Sequence, residues 1–127
     1  MNLDAFEFYD CWLLLSIGFN RRGTPINQIV ASGDMYNHAI FTLDELNYGM
    51  SKLIENGYVE KRKDRFVLTR KAREFYKANK KSEGCIDALL RLSPIFQKEN
   101  IKQDCKLICY FTENLDAQDP YRRYQIK

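Results

Sequence analysis

Six glycines and three prolines in 127 residues leave little room for long flexible linkers. Long apolar runs are missing as well. The longest, such as Cys11–Leu15, have five residues, far short of the roughly 18 needed to span a membrane. The N-terminus carries Asp4, Glu7 and Asp10 before that run, so the positive start of a secretory signal is absent. The four cysteines, Cys11, Cys85, Cys105 and Cys109, form no CxxC pair. Reduced thiols in the cytoplasm are the resulting expectation. There is no phosphate-binding glycine loop, no nucleophile elbow and no HExxH. These absences argue against a membrane protein, a disulfide-framework miniprotein and a multidomain enzyme. What is present, 45% apolar and 29% charged residues, is the composition of one globular domain.

The net charge of +3 conceals an asymmetry. Residues 61–81 hold ten Lys/Arg against Asp64 and Glu74, a balance of +8, whereas residues 24–60 balance at −4. A basic block beside an acidic one fits an anionic partner, and it also fits a solvated helix face.

Periodicity and capping signals divide the chain. Asp4 with Glu7 reads as a capping-box-like start for a helix over about Ala5–Phe19. Phe6, Tyr9, Trp12, Leu13, Leu14, Leu15 and Ile17 make that helix apolar on most sides, so it should be buried on most sides. Thr24-Pro25 reads as a hydroxyl cap followed by proline at the first helical position. That second helix should continue past Gly33 to about His38, with Met35, Tyr36 and Ala39 carrying on the apolar pattern. Thr42 and Glu45 form a capping box for a third helix, whose buried stripe is Leu43, Leu46, Met50, Leu53 and Ile54. Gly57 falls where a left-handed C-cap is expected. Tyr58–Arg62 and Arg65–Thr69 read as strands of a hairpin around Lys63-Asp64. Thr69 caps a fourth helix, about Arg70–Lys80, with Arg70, Arg73, Lys77 and Lys80 or Lys81 on its outer stripe. Further on, Ile86, Leu89, Leu90 and Phe96 suggest a helix broken or restarted at Ser93-Pro94. Leu107–Phe111 can be helix or strand, and Tyr121–Ile126 a last strand or an ordered tail.

The stretch TLDELNYGMSKLIENGYVEKR followed by DRFVLTRKAREFY resembles the winged helix-turn-helix superfamily of bacterial transcription regulators. The resemblance covers about residues 5–80 and is most specific over Leu46–Arg73. It implies a mainly helical fold with a small β-hairpin wing: a winged-helix domain over residues 1–81, and a C-terminal extension over 82–127 that packs on it or on a second subunit. It also implies that Leu43–Asn56 is the recognition helix and Arg62–Arg65 the wing tip. Ser32–Phe41 departs from the pattern, being longer than the usual three-to-four-residue turn.

On that resemblance the protein is expected to be a small DNA-binding transcriptional regulator, possessing no enzymatic activity and no cofactor, and forming a homodimer through Phe6, Trp12 or the C-terminal helices. The helix residues expected to face out and contact DNA are Asn47, Tyr48, Ser51 and Lys52. Asparagine pairs with adenine, and lysine reaches guanine or phosphate. Lys61, Arg62, Lys63 and Arg65 at the wing would hold phosphates or enter a minor groove. Cations on an edge strand also guard against edge-to-edge aggregation. Asp44 and Glu45 oppose a groove-reading helix: one carboxylate about 6 Å from a phosphate costs about 3 kcal/mol before screening. This acidity motivates the alternative of a protein-interaction module, in which Asp44, Glu45, Glu55 and Tyr48 meet a basic partner. His38 is the only histidine, four residues from Asp34, and reads as a structural residue. Cys105 and Cys109 would share a face if their segment were helical, but the spacing fits no standard zinc module.

Overall fold

The computed structural model describes all 127 residues. Five helices and a small antiparallel sheet form a mixed fold. Its order is α1 (Phe8–Ile17), β1 (Thr24–Pro25), α2 (Ile26–Asn37), α3 (Leu43–Glu55), β2 (Val59–Arg62), β3 (Arg65–Leu68), α4 (Arg70–Asn79), α5 (Cys85–Gln97), β4 (Phe111–Glu113) and β5 (Tyr124–Ile126). The three-stranded sheet runs β1-β3-β2, and β4 pairs with β5 in a separate antiparallel ribbon. No helix is long and apolar enough to cross a membrane.

The first helix starts later than its sequence suggests. Glu7, not Asp4, is its N-cap. The Glu7 amide donates to the Asp10 carboxylate at 2.7 Å, whereas the Asp4 amide turns back to the Asn2 side chain. Every residue from Tyr9 to Ile17 is buried, as an all-round apolar helix requires. The cover comes from the chain itself. Trp12 stacks on Phe41 with centroids 3.7 Å apart, and its indole donates to the Gly33 carbonyl. Phe6 packs between Tyr58 and Phe96. Both residues are therefore spent inside the core and are not free to form the subunit interface expected of them.

Thr24-Pro25 does not open α2 in the expected way. The Thr24 hydroxyl donates to the Ile17 carbonyl at 2.7 Å, and the dipeptide pairs with Phe66 and Arg65 as β1, which leaves Thr24 one residue ahead of the cap position. Pro25 becomes the N-cap. The helix does continue through Gly33, which is required there: the Phe41 ring lies where a Cβ would project. Helix α2 ends at His38 in the left-handed region, φ 51°. Met35, expected to continue the inward pattern, is 68% exposed.

Over residues 42–69 the capping and hairpin signals agree with the structure. Thr42 and Glu45 exchange both capping-box bonds. Gly57 takes φ +78°, β2 pairs with β3 through Arg62↔Arg65, and the Thr69 hydroxyl accepts from the Ala72 amide. Lys63 turns the hairpin at φ 57°.

Helix α5 passes through Pro94 without a break. Leu89, Leu92 and Phe96 pin it to the core, while Leu90 and Pro94 are exposed, so the Leu90 carbonyl left without a donor lies on the wet side. Phe96 meets Phe6, Tyr58 and Phe75. Phe111 packs on Phe66, and the Tyr124 hydroxyl donates to the Phe41 carbonyl. Residues 82–127 thus share one core with residues 1–81.

Candidate nucleic-acid interface

Helix α3 has two polar sides in sequence, and the structure buries one of them. Leu46, Met50 and Leu53 form the expected apolar stripe. Asn47 and Ser51, one turn apart, turn toward the segment that leads into β4. The Asn47 amide receives the Phe111 N–H at 3.0 Å and donates to the Phe111 carbonyl at 3.3 Å. The Ser51 hydroxyl makes the same reciprocal pair with Ile108, at 2.8 and 3.0 Å. Farther along, Asn56 accepts the Lys102 amide at 2.6 Å and donates to the Cys105 thiol. Residues 102–111 therefore run as a strap along α3, docked by side chains that act as the rungs of a strand ladder.

Lys52 points the other way, into the protein. It is fully buried. Its ammonium pairs with Asp10 at 2.6 Å and donates to the Tyr9 hydroxyl at 3.0 Å and the Ala5 carbonyl at 3.1 Å. Glu7 lies 3.5 Å away, and the Tyr9 ring 4.7 Å beneath. Burial pushes the Asp10 carboxyl up to about 6 in spite of the lysine. One carboxylate oxygen, Oδ1, has no hydrogen-bond partner. A charge without full pairing is expensive in this setting.

Asn47, Ser51 and Lys52 were expected to face outward, and all three are buried. In this conformation they offer nothing to a base edge. Tyr48 is half-buried. Of the acids on the same helix, Glu45 belongs to the capping box, Glu55 pairs with Lys102 at 2.8 Å, and Asp44 is exposed.

The hairpin is different. Lys61, Arg62, Lys63 and Arg65 are all exposed, with Asp64 as the one acid among them. The Lys61 ammonium donates to the Lys63 carbonyl across the turn. Arg62 approaches Glu60 at 3.4 Å, and Arg65 donates to the Gly23 carbonyl at 3.1 Å, which ties the hairpin to β1. Both arginines keep further N–H groups free for an anion.

The remaining candidates are dispersed. The His38 side chain is exposed; Asp34 instead accepts the Tyr121 hydroxyl at 2.6 Å. Cys105 is buried and Cys109 exposed on a non-helical stretch, so they share no face. Comparisons with protein-family models, with curated proteins and with solved structures found no match for this chain.

Proposed function

We propose that this protein is a winged-helix DNA-binding protein of the transcription-regulator type that grips duplex phosphates with its β2–β3 hairpin. The observation that carries this reading is the set of four exposed cations, Lys61, Arg62, Lys63 and Arg65, around one tight turn. The element order α1-β1-α2-α3-β2-β3 and the sheet order β1-β3-β2 support the winged-helix assignment. Phosphate contacts fix position and carry little sequence information. With Asn47 and Ser51 held by the strap, binding through the hairpin alone discriminates weakly between sequences. Such binding must weaken steeply with salt, because each neutralised phosphate releases counterions.

The test is fluorescence anisotropy of a labelled random-sequence duplex at two salt concentrations. Salt-sensitive binding is expected, and Arg62→Ala/Lys63→Ala should lower affinity by a similar factor on every duplex. Unchanged binding by that variant would remove the hairpin from the interface. The covered α3 favours a second reading, a protein-interaction module with Asp44 and Tyr48 at its contact surface. No binding to any duplex at low salt and high micromolar protein would select it.

A further inference from the structure

A second concentration of cations lies beyond the hairpin tip. Side chains alternate along strands. The register Lys61↔Phe66 and Arg62↔Arg65 turns buried Phe66 to the core, and Arg62 and Arg65 to the opposite side of the sheet. On that outer side Arg62 borders an open cleft of about 360 Å³, shared with Arg21 from the α1–β1 loop, Glu60, Thr69, and Arg70 and Arg73 of α4. Four arginines from three separate stretches of chain line it, against a single carboxylate. The ion pairs that engage them, Arg62–Glu60 at 3.4 Å and Arg70–Glu74 at 3.0 Å, are both exposed and so are weak enough to exchange for a stronger anion. The N-terminus of α4 opens at the same place. The Thr69 hydroxyl takes the Ala72 amide, and the amides of Arg70 and Lys71 have no acceptor within the chain. Free first-turn N–H groups beside guanidinium forks form a setting in which phosphate is bound both by direction and by charge.

We infer that this cleft is a phosphate site and, resting on the DNA-binding reading above, that it receives the backbone of the duplex whose neighbouring phosphates the hairpin tip holds. The duplex then lies along the outer side of the sheet and the start of α4, away from the covered flank of α3.

The test compares three proteins in the two-salt anisotropy experiment: the parent, the hairpin variant Lys61→Ala/Lys63→Ala, and the cleft variant Arg21→Ala/Arg70→Ala/Arg73→Ala. All three cleft positions are exposed, so thermal midpoints should match the parent's. The cleft variant is expected to lose at least tenfold in affinity at low salt. Its plot of log affinity against log salt should become shallower by about 2–3, at roughly 0.9 per phosphate contact removed. In parallel, inorganic phosphate is titrated into the labelled parent while the arginine Nε–H resonances are followed. If the parent binds duplex and only the hairpin variant weakens, the cleft proposal is overturned and the DNA reading stands. If the parent binds no duplex yet phosphate shifts the cleft arginine signals, the phosphate site is supported, with a free anion as its source, and the DNA reading falls. No shift with phosphate and no loss in the cleft variant refute the site altogether.

Discussion

Replacing Lys52 by Met tests the most costly feature of the interior. Met keeps most of the apolar stem's volume and removes the ammonium. Asp10 then loses its 2.6 Å ion pair and keeps only the Glu7 amide, with Oδ1 already unpartnered. Breaking a buried pair from one side typically costs about 3–5 kcal/mol. The structure also sets a ceiling on the charge-burial part. Asp10 can escape by taking up a proton, and because burial already holds its folded value at about 6, that protonation costs only about 1 kcal/mol at pH 7. We therefore expect a loss of about 2–3 kcal/mol at pH 7, about 1 from that protonation and the rest from the Tyr9 hydroxyl and Ala5 carbonyl left without the ammonium, read from urea midpoints at unchanged m-value. The pH dependence follows from linkage. A carboxyl raised in the folded state stabilises the fold below its unfolded value, and that benefit is lost as pH rises through the folded value. In the parent the loss runs from about 4 to about 6. In the variant it continues above 6, so the gap between the two should widen by up to about 1.4 kcal/mol per pH unit. A Lys52→Met protein within 1 kcal/mol of the parent at pH 7 would refute the buried pair. It would also return Lys52 to the surface as a candidate phosphate ligand.

Two further substitutions probe neighbouring features. Gly33→Ala should destabilise by about 1–3 kcal/mol despite alanine's better helix propensity, because the new Cβ enters the space of the Phe41 ring; calorimetry checks the sign. Asn47→Ala should accelerate hydrogen exchange at the Phe111 amide, and much less at amides within α1, since only the first loses its acceptor.

The elements that were legible in the sequence are those whose signals are local. Thr42 and Glu45 lie within one turn of the groups they satisfy, as does Thr69, and both helix starts fall where the sequence puts them. The hairpin follows from two short strand-like runs around Lys63-Asp64. The errors have the opposite origin. Asn47 and Ser51 are polar residues one turn apart off the apolar stripe, a pattern read as solvent-facing. Their partners lie 64 and 57 residues away along the chain, and nothing near position 47 announces them. Lys52 misleads in the same way, because its counterion Asp10 belongs to another helix. Thr24-Pro25 carried a sound helix-start signal that lost to two tertiary interactions, the Ile17 carbonyl and the edge of β3. Of the candidate site, the four hairpin cations stand exposed together as their sequence suggested, and the helix half of the site does not.

The strap across α3 also orders events during synthesis. Chains fold from the N-terminus as they emerge, and α1 to α4 contain the Lys52–Asp10 pair and most of the core. Yet Phe66 has no ring from Phe111 against it, and Asn47 and Ser51 have only water as partners, until residue 111 has been made. For that interval a nascent chain carries a wet, partly apolar flank on its third helix, and closing it joins residues far apart in sequence, the kind of step that folds slowly. A released chain truncated between residues 81 and 105 would therefore display a flank of its third helix that the finished protein covers.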